Sequence, residues 1–185
     1  MASTHGFGSI GHLSGRFFGA LLPFGPPAAD EDWVRSQLLP GEWSLWTRMS
    51  GADRRHAVGV ARRTIIELGG DGPDGVVARE VIAAALLHDV GKIESGLGTW
   101  TRAGVTFAGM AVGREKLLGW SEESDASWRR RVGSYLGHDQ VGADLLLQAG
   151  SDPLTVAWAT EHHRPPEHWT IDAELGEALK AADDD

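Results

Sequence analysis

The segment Ala85-Leu86-Leu87-His88-Asp89-Val90-Gly91-Lys92 constrains this chain more than any other. It places an imidazole beside a carboxylate at the end of an apolar helical run. Both groups are ligands for borderline transition metals, and burying them together without a cation leaves charge and polarity poorly compensated. The segment therefore reads as half of a metal site, and the rest of the chain must bring further ligands on other helices.

Candidates stand at suitable places. His56 lies in Arg54-Arg55-His56-Ala57-Val58, His138 opens His138-Asp139-Gln140-Val141-Gly142, His162 and His163 follow Glu161, and Asp183 closes Lys180-Ala181-Ala182-Asp183. Singly, each has a plainer explanation. A histidine at the edge of an apolar stripe, as His56 is beside Val58, is more often a satisfied core residue than a ligand. Acidic termini usually solubilise, and a lysine just past a helix end usually offsets the helix dipole. The argument for a metal rests on the set.

With these residues in view, the order H…HD…H…H(H)…D resembles the HD-domain superfamily of metal-dependent phosphohydrolases. The pieces that carry the resemblance are RRHAVGVA, AALLHDVGK, HDQVGADLL, EHHRPP and KAADDD, over about residues 52 to 185. The resemblance implies an all-α fold, a compact helical bundle, with His56, His88, Asp89 and Asp183 at a first metal and His138 and His162 at a second, bridged by Asp89. His163 is a further candidate ligand. Relatives that cleave cyclic dinucleotides carry a DGxGYP extension after the paired histidines, whereas this chain has Arg164-Pro165-Pro166-Glu167-His168-Trp169. That departure argues against a cyclic-di-GMP phosphodiesterase.

Composition narrows the remaining classes. A chain of 185 residues with 42% hydrophobic content is long enough for one domain with a real core. Its formal charge of −9 argues against long nucleic acid as a partner and leaves small phosphorylated molecules, such as a nucleotide, compatible. There is no cysteine, so thiolate ligands and disulfides are excluded and any metal must use nitrogen and oxygen. The apolar stretch Phe17 to Leu22 is too short to span a bilayer and lacks the features of a cleaved leader, so a cytoplasmic protein without membrane contact is expected.

Residues 1–29 are rich in Gly, Ser and Pro and read as a flexible or draped segment, with the helical domain at 30–185. Asp30 is expected to cap a helix carrying Trp33, Val34 and Leu38, and Pro40 to break it before a short helix with Trp43 and Trp46, tryptophans suited to core packing. A longer helix is predicted from Asp53 to Leu68, stopped by Gly69-Gly70. The next, Ala78 to Asp89, is apolar on most faces and followed by a sharp turn at Gly91. Residues 93–106 read as a loop, Phe107–Leu118 as a helix, and Glu122–Arg131 as a charged segment whose Arg129-Arg130-Arg131 is a solvated face. Helices then follow from His138, with Val141, Leu145 and Ala149 on one face and Gly150 as the stop. Another follows from Asp152-Pro153 to His162, and a last from Asp172 to Ala182.

Such a donor set holds two divalent ions, of manganese, iron, cobalt or nickel. These would activate a water for attack on phosphorus, with Asp89 and Lys92 as catalytic residues and Lys92, Arg55 and Arg62 binding the substrate's phosphate. The expected activity is metal-dependent hydrolysis of a nucleotide or other small phosphate ester. Two alternatives use the same residues: a di-iron oxygenase of the same superfamily, and a nucleotide or metal sensor without turnover.

Overall fold

The computed structural model describes residues 24–70, 76–95 and 137–184. These form seven α-helices: α1 (Ala28–Gln37), α2 (Pro40–Trp46), α3 (Gly51–Glu67), α4 (Arg79–Leu87), α5 (His138–Ala149), α6 (Pro153–Glu161) and α7 (Ala173–Asp184). Short 3-10 helices span Val90–Ser95 and Pro166–His168, and there is no strand among the described residues. None of the described helices is long and apolar enough to cross a membrane. Residues 1–23, the loop from 96, the helix expected at 107–118 and the Arg129-Arg130-Arg131 run lie outside the described residues.

The bundle is organised around α4. Val81, Ile82, Ala83, Ala84, Ala85, Leu86 and Leu87 are all buried, so every face of its last two turns meets protein. Helices α3 and α6 pack on it from two sides and α1 lies against a third. Trp46 and Trp158 are the largest fully buried side chains, while Trp33, Trp43 and Trp169 pack against the core from its edge. A polar side chain enters this core only with partners. Glu42, fully buried, accepts from the Leu39 amide at 2.8 Å and from Arg79 at 3.0 Å, tying α2 to the start of α4.

Helix ends follow local chemistry. The Ser50 hydroxyl accepts from the Asp53 amide at 3.1 Å and donates to the Asp53 carboxylate at 2.7 Å, so α3 begins two residues before Asp53. It ends as expected, with Gly69 at φ 69° and the Gly70 amide returning to the Ile65 carbonyl. Asp152 accepts from the Leu154 amide at 2.9 Å and Pro153 takes the first position of α6.

Three expectations need correction. Asp30 does not cap α1: the helix starts at Ala28 after an extended Pro27, and Asp30 sits in the first turn, where a carboxylate suits the dipole. The helix expected to reach Asp89 ends at Leu87, with His88 as its C-cap, and continues as a 3-10 helix through residues assigned to loop. The buried side of α5 is wider than the Val141, Leu145, Ala149 stripe expected: His138, Gly142, Ala143 and Leu146 are buried, and Leu145 and Ala149 pack against the core beside them. Glycine has no apolar side chain to mark a face, so a hydrophobic pattern cannot register Gly142.

Gly142 faces Gly91. A Cβ on Gly91 would stand 1.9 Å from the His138 carbonyl oxygen and 2.6 Å from the Gly142 amide nitrogen. Gly91 has no positive φ, so it is needed for close backbone approach rather than for the sharp turn expected of it. This contact seats the first turn of α5 directly against the residues that follow Asp89.

Candidate metal centre

His88 and Asp89 stand at the end of the buried α4, where the chain tightens from α-helix into the 3-10 helix. The His88 side chain is 2% exposed. Its Nδ1 donates to the Ala85 carbonyl at 2.9 Å, which leaves Nε2 pointing at carboxylates: Asp89 Oδ2 at 3.4 Å and Asp183 Oδ1 at 3.5 Å. His162, fully buried at the C-cap of α6, is fixed in the same way. Its Nδ1 donates to the Trp158 and Ala159 carbonyls at 3.2 and 3.1 Å, turning Nε2 towards Asp89. A backbone carbonyl on one ring nitrogen sets both tautomer and direction of the other, as in imidazoles that hold metals.

The remaining side chains converge on these. His56 Nε2 on α3 lies 2.9 Å from Asp183 Oδ1 near the end of α7. The Arg63 guanidinium, two turns along α3 from His56, donates to the Ala182 carbonyl at 2.8 Å and so anchors the turn of α7 that carries Asp183. His138 Nε2, at the start of α5, is 3.2 Å from Asp89 Oδ1, and His162 Nε2 is 3.8 Å from the same oxygen. The His163 ring stands 5.4 Å from that of His138.

Two groups of potential ligands result. In one, His56, His88 and Asp183 bring their donor atoms within 4.8 Å of one another; in the other, Asp89, His138, His162 and His163 do so. Asp89 is a member of the second group, through Oδ1 facing His138 and His162, while its Oδ2 faces His88 of the first. The structure thus brings together all seven residues expected as ligands. His163 joins fully although it is the exposed member of its group. Lys92 also reaches the site, its ammonium paired with Asp89 Oδ2.

Arg62 does not. Its guanidinium pairs with Asp30 at 3.3 Å and lies 3.7 Å above the Trp33 ring, because six residues on a helix carry it round from the side of His56 towards α1. Sequence reasoning passed over Asp139, whose Oδ1 is 3.0 Å from His138 Nε2. The signal was present as a second His-Asp pair, at 138–139.

Electrostatics fit a cation. Burial by itself would raise the Asp89 carboxyl, but the Lys92 ammonium and the His88 imidazole hold it well below the ordinary carboxylate range. Asp183 is likewise lowered: burial opposes this, and the His56 hydrogen bond and the His88 charge outweigh burial. For His88, burial favours the neutral ring, yet Asp89 and Asp183 push it up to about 9. His163 moves the other way, to about 4, through burial and the neighbouring His162. Both carboxylates are therefore anionic at neutral pH, and the Oδ1 of Asp89 and Nε2 of His162 are buried without a hydrogen bond among the described residues. An ion between them would satisfy both.

The model of the HD domain matches residues 55–184, more than half of the chain. The chain belongs to the HD-domain family. No curated protein and no solved structure matches it. The helical bundle and the buried His/Asp groups of this HD domain fit metal-dependent, hydrolase-type activity. The donors are imidazole and carboxylate throughout, a set that suits divalent manganese, iron, cobalt or nickel.

Proposed function

We propose that this HD domain is a phosphohydrolase that cleaves a nucleotide or another small phosphate ester with water, using two divalent metal ions. The observation that carries the reading is the orientation of Asp89, which turns one oxygen to each group of histidines and so is shaped as a bridge. His56, His88 and Asp183 would hold one ion with Asp89 Oδ2, and His138, His162 and His163 the other with Asp89 Oδ1. When bound, such a pair lowers the pKa of a water and offsets the charge of phosphoryl oxygens.

The chain's own residues then have separable tasks. Ala85, Trp158 and Ala159 offer the carbonyls that keep His88 and His162 aimed inwards, so no ring need turn as ligand binds. The two depressed carboxylates remain unprotonated throughout the neutral range. Lys92 supplies a fixed positive charge beside Asp89, placed to meet the oxygen of an anionic substrate. The acidic chain, with a net charge of −9, favours small esters that enter the cluster over long polyanions.

A screen of phosphomonoesters and phosphodiesters with added manganese, iron, cobalt, nickel or magnesium tests this. Phosphate or nucleotide release that requires metal and proceeds without dioxygen is expected. The same all-nitrogen and oxygen donor set would serve a di-iron oxygenase, and iron-dependent oxygen consumption without phosphate release would establish that reading instead. Nucleotide binding with no turnover on any ester would favour a sensor.

A further inference from the structure

We propose that Trp169 is a positioning residue for His163, its indole N–H joining the backbone on both sides of that histidine and so holding the imidazole in the group with Asp89, His138 and His162. The inference rests on the two-ion reading above. His163 is anchored differently from the other histidines of the cluster's interior. His88 and His162 each donate Nδ1 to a backbone carbonyl, whereas no hydrogen bond fixes the exposed His163 ring among the described residues. The place of the His163 ring is therefore set by the backbone that carries it.

That backbone is closed by donors from the chain beyond it. The last carbonyls of a helix need partners, and Pro165 and Pro166 have no N–H to give. Trp169 Nε1 supplies the donor. It stands 3.1 Å from the Glu161 carbonyl, two residues before His163, and 3.1 Å from the Arg164 carbonyl, one residue after it. The Arg164 amide donates to the same Glu161 carbonyl at 2.7 Å. The indole is itself seated from three sides. The buried Glu161 carboxylate accepts from the amide and the hydroxyl of Thr170, the next residue, both at 2.7 Å. The Trp158 ring meets the indole in a T-shaped contact at 5.5 Å. On α7, a Cβ at Gly176 would stand 2.4 Å from Trp169 Cε3, so the bare backbone of that glycine makes room for the ring.

Trp169→Phe keeps an aromatic ring in the seat and removes the N–H, while His163→Ala removes the ligand that the N–H places. Wild type, W169F, H163A and the double variant are stripped with chelator and titrated with Mn2+ by calorimetry and with Co2+ by visible absorption. Wild type should bind two equivalents. In W169F one equivalent should be unchanged and the other weakened about tenfold, and H163A should weaken the same one at least as much, with its Co2+ bands shifted. The double variant should bind within about twofold of H163A, because a residue that acts through His163 has nothing to position once that ring is gone. Should W169F melt too low to titrate, T170V, which removes one of the two bonds to Glu161 at an exposed residue, takes its place under the same outcomes. Wild-type affinities in the Trp169 variant or in H163A, or a further tenfold loss in the double variant, would each overturn the assignment while leaving the two-ion reading intact. A wild-type protein that binds fewer than two ions would remove that reading and this assignment with it.

Discussion

The two halves of the ligand cluster are built differently. His56, His88 and Asp183 come from α3, α4 and α7; the outer pair, His56 and Asp183, meet across 127 residues of sequence through one 2.9 Å contact, with the His56 side chain 38% exposed. Asp89, His138 and His162 are buried, and their spacing is set by backbone: Gly91 against the first turn of α5, and α5 packed along α6. One half is assembled by side chains reaching across the bundle and the other by helices in near contact. The first half therefore depends on contacts between side chains far apart in sequence and the second on backbone packing, with one oxygen of Asp89 turned to each.

The sharpest way to break this comparison is Asp89→Ala. It removes the residue common to both halves, and turnover should fall by about 10³-fold or more. In folding stability, read by urea unfolding, His56→Ala should cost less than His162→Ala, because truncating a partly exposed ring leaves no buried void. Comparable losses in the two would deny the contrast between the halves.

Gly91→Ala tests the half set by backbone packing alone. The added methyl cannot stand 1.9 Å from a carbonyl, so α5 must move and carry His138 away from Asp89. We expect a loss of about 1–3 kcal/mol in urea unfolding together with loss of one bound ion. Full stability with both ions kept would show that the contact does not set the spacing. Lys92→Ala, in contrast, should retain both metals and lower kcat by about 10²-fold, as removal of one charge-stabilising donor does. Elemental analysis beside steady-state kinetics distinguishes the two outcomes.

Protonation sharpens the comparison further. His88 in the metal-free protein titrates near 9, above its ordinary 6.5, so its contribution to stability is complete below pH 6.5 and lost as pH rises through 9. Asp183 and Asp89 are lowered from 3.8, so theirs is present above that value and lost only in stronger acid. His163, lowered to about 4, contributes stability above pH 6.5 that is lost as pH falls towards 4, so the chelator-treated protein should melt highest near pH 6.5 and lower both by pH 4 and by pH 9. Metal must displace the His88 proton, so affinity should rise between pH 6.5 and 9, with proton release seen as buffer-dependent heat at pH 7.5. Affinity independent of pH over that range would contradict the assignment of His88. The smallest effect belongs to His168→Ala, an exposed side chain in the 3-10 helix after the site, where activity should stay within about twofold of wild type.

Much of this architecture could be read from the residues alone. The apolar run at Val81–Leu87 announced a buried helix, and the resemblance carried by His56, His88, Asp89, His138, His162 and Asp183 implied a convergent donor set. What escaped has physical causes. Gly91 and Gly142 matter by lacking side chains, so a pattern of hydropathy misses the close approach they permit. Arg62 carries the right charge, but its partner Asp30 and its platform Trp33 belong to a helix whose packing no local pattern reveals. Asp139 was overlooked because the residue beside a ligand on a helix normally points elsewhere; at the first turn of α5 it points back to His138.

The central claim is that Asp89 joins two ions, and the number of metals bound by the Asp89→Ala protein tests it most directly. Measured by elemental analysis after manganese or cobalt loading and gel filtration, wild type should carry two ions per chain and the variant none or a small fraction of one. A variant that carries two, with turnover intact, would contradict the bridge and the chemistry built on it.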